Sequence, residues 1–314
     1  MSRYILKRLL MIIPVIVGVS FVIYFIVDLA PGDALLIISP EADSQALEQM
    51  RHMYGYDRSV FYRYFLYMKN LLQGDLGTSI IYNQSVFQLY IQRLPATLLL
   101  AIGSVIVAHI ISIPLGILSA THAGSVLDNV SVVLALVGMS MPHFWFGLLL
   151  IILFSLNLGW FPSSGFTGFS SLVLPAITVA TGLMALLTRT TRSSMIDVIR
   201  QEYLRTARSK GVSERSVILK HALRNALIPI ITVSGTQFAG ILGGSVVTET
   251  IFSWPGIGRL IIDAVKQRDT PLVTGGIMMT TILVSLLLLI VDIIYAFVDP
   301  RIKSQYASGR KKHE

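Results

Sequence analysis

Few residues in this chain are placed to do chemistry. No G-x-x-x-x-G-K-[ST] phosphate loop occurs, and the glycine-rich stretch Gly74-Asp-Leu-Gly-Thr-Ser79 has the wrong residues for one. The histidines stand apart at positions 52, 109, 122, 143, 221 and 313, with no His-x-x-x-His or Glu-x-x-His pair to grip a metal. Cysteine is absent, which excludes a disulfide framework, a thiolate metal site and a thiol nucleophile together. The serines and threonines show no plausible His/Asp constellation. The expectation is therefore no catalytic, cofactor or metal site in this chain.

The polar residues that remain interesting lie inside apolar stretches, where such groups are functional suspects. His109 and His143 are either neutral imidazoles satisfied inside a helix bundle or substrate contacts; a nickel contact has no support from spacing. Asp292, near the end of the last apolar stretch, reads as a gate or packing pair rather than a proton relay. The richest polar face is Ser234, Thr236, Gln237, Gly240, Gly243, Gly244, Ser245 and Thr248. His143, Gln237, Gly240, Gly244, Ser245 and Thr248 are the candidate pathway residues. Close packing through Gly240 and Gly244, spaced as small-xxx-small, is the competing explanation. Glu249, Trp254, Pro255 and Gly256 follow in a turn that could form an outer gate, touch an external protein or anchor at the membrane interface.

These residues need elements to hold them, and composition says which. Hydrophobic residues make up 54% of the 314 and charged ones 13%, against about 25% charged in a soluble domain. An all-α integral membrane fold is implied, with no room for a large soluble catalytic domain. The apolar run Leu9 to Val27 follows Arg3, Lys7 and Arg8 and exceeds the roughly 7–15 residues of a secretory h-region, so it reads as a retained first span. Five further spans fall at roughly 97–118, 130–156, 172–188, 226–248 and 273–298, each near the 20 apolar residues a crossing needs.

The net charge of +8 reflects topology rather than nucleic-acid binding. With both termini inside, 17 of the 25 Lys and Arg fall on the cytosolic side and 8 on the other. The resulting division is 1–30 for the N-terminus and first span, 31–96 for an outer loop, 97–298 for the core and 299–314 for a basic cytosolic tail. In the outer loop, Glu41 to Met53 reads as a short amphipathic helix, and aromatic-rich Phe61 to Leu72 as an interfacial one.

One inner segment, 189–228, holds nine Lys and Arg. Ser194 with Asp197 predicts a capping box that starts a helix there. Gly211 predicts its stop, Ser213 caps a second helix, and Pro229 breaks that helix. A helix–Gly–helix elbow of this size is too short for an active site. It suits the transfer of a partner's motion into the membrane.

The run Tyr203-Leu-Arg-Thr-Ala-Arg-Ser-Lys-Gly-Val-Ser213, with His221-Ala-Leu-Arg-Asn-Ala226 and Pro229, resembles the coupling loop of ABC-importer permeases. The likeness continues in Pro31-Gly-Asp33, Gly74 to Ser79, Leu94-Pro-Ala-Thr97, Met141-Pro-His-Phe-Trp145, Glu249 to Gly258 and Asp299-Pro-Arg-Ile302. Their order and spacing narrow it to the dipeptide, oligopeptide and nickel permeases, B-type subunit. One departure is that Arg205, Thr206 and Ala207 stand where the general importer signature has Glu-Ala-Ala, and His221 where it has Ile.

The resemblance implies a type I importer fold with six spans and a cytosolic coupling helix between the fourth and fifth. Arg205, Thr206, Ala207, Arg208, Lys210, Gly211, Val212 and Ser213 would form the ATPase coupling site, with Thr206 to Ser213 as its helix. It also implies a second permease, two ATPase subunits carrying ATP and Mg, and an extracytoplasmic substrate-binding protein, all in a prokaryotic inner membrane. The cargo would be di- or oligopeptides, with nickel or a metal chelate as the variant. A stand-alone secondary transporter or channel is the competitor of a different class, and a membrane anchor for an enzyme is a third.

Overall fold

The computed structural model describes residues 2–29, 43–53 and 57–298. The motifs at 31–33 and 299–302, and the basic tail, lie outside the described residues. Among those described, the regular structure is helical apart from one isolated bridge between Thr78 and Ser85. The helices are α1 (Ser2–Leu29), α2 (Ser44–Met53), α3 (Val60–Leu72), α4 (Val86–Thr121), α5 (Val126–Ser140) and α6 (His143–Leu150, continued as a π-helix over Ile151–Asn157). After them come α7 (Ser170–Ile199), α8 (Glu202–Ser209), α9 (Glu214–Gly244, with a π-helical stretch over Val217–Ala222), α10 (Val246–Ile251), α11 (Ile257–Lys266) and α12 (Thr270–Val298).

Five of these are long and apolar enough to cross a membrane: α1, α4, α7, α9 and α12. The sixth expected crossing is a pair, α5 and α6, bent by 103°. Pro142 explains the bend. It has no N–H to continue α5, and it holds Met141 extended at φ −76°, ψ 126°.

The chain forms two compact units. The first comprises Met1–Leu98 with Ser253–Leu286. Within it α3 packs on α1. Phe21, Tyr24 and Phe25 meet Phe61, Tyr64 and Tyr67 with ring centroids 5.3 to 6.3 Å apart. Arg63 pairs with Asp28 at 2.5 Å. Phe65 and Leu72 of the same helix stay exposed, so only one of its faces meets α1.

The core of this unit gathers Leu76, Val86, Leu89, Leu260, Ala264, Leu272 and Val273. Burial of Val86 and Tyr90 draws α4 ten residues upstream of its apolar stretch. The Gly74 to Ser79 motif has a structural task here. Ser79 Oγ donates to the fully buried Asp269 carboxylate, which also accepts from the Ile80, Ile81 and Leu272 amides, tying this loop to the start of α12.

The second unit comprises Leu99–Phe252 with Leu287–Glu314. Its axis is α7, packed against α5, α6 and α9. Ala108, Ala180, Leu183, Leu187 and Ile230 form its centre. At the end of α7, Arg192 binds Asp128 through two contacts of 2.6 and 2.7 Å. Ser119 and the Gly124 amide complete the coordination of that carboxylate.

Three sequence expectations are corrected in this unit. The Ser194 box does not start a helix, because α7 runs unbroken to Ile199 with Thr191 and Met195 fully buried on its packed face. Ser213 precedes α9, but its hydroxyl makes no cap; its carbonyl accepts from Ser216 and Val217 instead. Pro229 does not break α9. One ladder bond is forgone there, while Ala226 and Ile230 on either side are fully buried and hold the helix against its neighbours.

Candidate functional site

Two features of the second unit could act on something outside this chain. The first is the loop that carries α8, between α7 and α9, the fourth and fifth crossings when the bent pair counts as one. Leu204 points inward and is fully buried with Met195, Val217, Ala222 and Ala226. Tyr203 adds a second attachment, donating to the His221 carbonyl at 3.4 Å and accepting from the Asn225 side chain at 2.6 Å.

The helix ends as Gly211 predicts. Gly211 takes φ +79°, its amide donates to the Arg208 carbonyl at 2.9 Å, and the Val212 amide donates to the Ala207 carbonyl at 3.3 Å. This is a Schellman closure with glycine at its left-handed position. The helix therefore covers Glu202–Ser209, upstream of the expected Thr206 to Ser213, and residues 210–213 form the turn after it.

Arg205, Thr206, Lys210, Gly211 and Ser213 are exposed, whereas Ala207 and Val212 lean on the core beneath. Arg208 is committed within the chain. Its guanidinium donates twice to Glu214, at 3.0 and 2.8 Å. A loop so built presents a short, rigid, basic surface fixed to the helices on either side.

The second feature is a cavity of about 570 Å³ between α6, α7, α9 and α10. His143, Gln237, Gly240, Gly244, Ser245 and Thr248 all line it. His143 Nδ1 lies 3.2 Å from the Thr178 carbonyl of α7. Gly240 and Gly244 are not close-packed against another helix of this chain: a Cβ on Gly244 would meet nothing within 4 Å, and one on Gly240 only the Gln237 side chain.

The glycines that do admit a neighbour are others. A Cβ on Gly235 would lie 2.7 Å from Val291, and one on Gly116 2.5 Å from Thr191. Nothing in their sequence spacing marks them. Ser234 turns away from the cavity, bonding His109 Nε2 at 2.7 Å and so joining α9 to α4.

Glu249 and Trp254 are both fully buried. Ser245 Oγ donates to Glu249 at 3.0 Å, and Trp254 Nε1 donates to the Ala96 carbonyl at 2.8 Å. Neither side chain is on the chain's surface, so Trp254 is not an exposed interfacial anchor and neither presents itself to an outside protein. Gly256 is buried and Pro255 half-buried. Among the described residues no group of three or more His, Cys, Asp or Glu could hold a metal ion.

Long apolar helices, a fixed basic loop and an interhelical cavity with a few polar groups in apolar walls fit a multi-pass membrane transport component. The chain matches the family of binding-protein-dependent transport system inner membrane components over residues 112–304, and the N-terminal model of the same systems over residues 1–101. It belongs to that family, the ABC-importer permeases. It is 44% identical to the oligopeptide transport system permease protein AppB of Bacillus subtilis (strain 168), over 96% of this chain and 100% of that protein. To the glutathione transport system permease protein GsiC of Escherichia coli (strain K12) it is 41% identical, over 96% of this chain and 99% of that one. The fold is shared with the MetNI methionine ABC transporter in inward facing conformations, with a TM-score of 0.57 at 17% identity over 68% of this chain and 97% of that one. The chain thus has the type I importer permease fold and is a transport permease subunit.

Proposed function

We propose that this chain is one of two permease subunits that together form the pathway for di- or oligopeptides. Separate ATPase subunits drive it, and an extracytoplasmic binding protein delivers the cargo. The observation that carries this reading is near-full-length similarity to an oligopeptide permease, at 44% identity. Glutathione, the cargo named for the second relative, is itself a small peptide.

In this reading both termini are cytosolic in a prokaryotic inner membrane, in line with the Lys and Arg bias, and 31–96 lies outside. The loop around α8 then faces the cytosol, where the exposed Arg205, Thr206, Lys210, Gly211 and Ser213 meet the ATPase. ATP and Mg bind on that partner. Its closure pushes α8, and α7 and α9 transmit the movement to the cavity between them.

The complete importer in proteoliposomes tests the proposal. Tripeptide uptake should require ATP and disappear when the ATPase active site is inactivated. Gly211→Asp should assemble normally yet abolish uptake and uncouple substrate-stimulated ATP hydrolysis. Uptake that persists with the ATPase inactivated would favour a stand-alone transporter or channel, and normal uptake by Gly211→Asp would sink the coupling role.

A further inference from the structure

The cavity holds two polar groups whose hydrogen-bonding capacity the chain itself does not use. The His143 ring is fixed by its Nδ1 contact to the Thr178 carbonyl at 3.2 Å. A carbonyl can only accept, so Nδ1 carries the proton, and in the neutral ring Nε2 is left as an acceptor. Nε2 hydrogen-bonds to no other described residue. Across the cavity the Gln237 amide, one acceptor and one two-proton donor, likewise makes no hydrogen bond to a described residue.

Gly182 sets the position of the ring. A Cβ built there would lie 3.2 Å from His143 Cε1 and 3.4 Å from Nε2, tighter than the ring accepts without shifting. With alanine there the imidazole would have to give by a few tenths of an ångström, shifting Nε2 within the cavity.

The rest of the lining narrows what these groups can read. Among the described residues no carboxylate, Lys or Arg lines the cavity, and Phe144, Val179, Leu183, Ile241 and Val247 make its apolar walls. Such a wall gives no charged handle for an ion. A neutral group with both a donor and an acceptor is what the two side chains complement, and a peptide bond is that group. The volume lies within the range that small ligands fill.

We propose that His143 Nε2 and the Gln237 amide are the specificity-determining pair of this cavity, reading the N–H and C=O of a passing peptide unit, with Gly182 holding His143 in place. This rests on the peptide-permease reading above and adds to it the residues that recognise the backbone.

The test uses the complete importer in proteoliposomes with its binding protein. Uptake of a tripeptide is compared with that of its depsi analogue, in which an ester oxygen replaces the central N–H. The binding protein is the same in every assay, so its own preference cancels when permease variants are compared. The amide-over-ester ratio should fall about five- to tenfold in His143→Leu, as expected for one lost hydrogen bond to the N–H. Gln237→Leu, which loses the donor to the C=O that amide and ester share, should lower uptake of both and leave the ratio near wild type. His143→Gln, which offers an acceptor near the Nε2 position, should keep the ratio within about twofold of wild type. His143→Asn, whose polar atoms stop short of it, should lose it; these two variants decide the matter if the leucine forms assemble poorly. Gly182→Ala should behave as His143→Leu although the imidazole remains. An unchanged ratio in His143→Leu, or undiminished uptake of both analogues in Gln237→Leu, overturns the pair, and an unchanged ratio in Gly182→Ala overturns the role of that glycine. Failure of the wild type to take up the tripeptide at all would instead overturn the underlying peptide reading.

Discussion

Asp128 is 2% exposed, yet each of its oxygens is bonded twice. Ser119 and Arg192 Nε reach Oδ1 at 2.5 and 2.6 Å, while Arg192 Nη2 and the Gly124 amide reach Oδ2 at 2.7 and 2.9 Å. The group ties together the end of α4, the start of α5 and the last turns of α7. Removing one partner strands a charge in a desolvated site, whereas removing both strands none. Arg192→Leu, which strands the buried carboxylate, should cost about 3–5 kcal/mol. Asp128→Leu leaves a guanidinium on a side chain that is 30% exposed and should cost less, and the double variant should cost less than the sum of the two. Thermal unfolding of the detergent-solubilised complex checks this, and simple additivity would show that the two charges do not depend on each other. Nothing in the sequence sets Asp128 or Arg192 apart from the other charges. Their pairing across 64 positions is a tertiary event that no local pattern records.

At the scale of elements, α8 is a lever with one deep anchor. Leu204 is fully buried, while Arg205 and Thr206 beside it are exposed. Leu204→Ala should cost roughly 2–5 kcal/mol locally and loosen α8 from α7 and α9 without changing its exposed face. The expected outcome is a complex that still assembles with its ATPase, hydrolyses ATP, and no longer accelerates hydrolysis when loaded binding protein is added. Retained acceleration would show that the loop backbone alone passes the motion. Gly211 could be read from the sequence because a left-handed helix end depends on the residue that occupies it. The false start at Ser194 and the false stop at Pro229 share one cause. Capping and proline effects amount to about 1 and 3 kcal/mol, and each sits beside residues buried on a packed face, which override them. The polar face of α9 was legible as periodicity. Its meeting with His143 of α6, and the ring's bed on Gly182, depend on packing between segments far apart in the chain.

For the molecule as a whole, similarity to complete permeases and the six apolar segments agree, but one crossing differs in kind from the rest. Each arm of the α5–α6 pair holds about 15 residues, roughly 22 Å of helix, against a hydrocarbon core of about 30 Å. At the elbow Pro142 brings no N–H, and no side chain caps the amides that open α6. In lipid each open amide costs several kcal/mol, so such a backbone belongs against protein or water. The consequence lies in biosynthesis. On the proposed two-permease reading, a copy made without the companion permease leaves the membrane-insertion machinery unfinished, with a polar hinge that lipid cannot shelter. Cellular quality control should recognise it as an orphan: pulse–chase labelling should show a half-life several-fold shorter without the companion than with it, and equal lifetimes would mean this chain shields its own elbow.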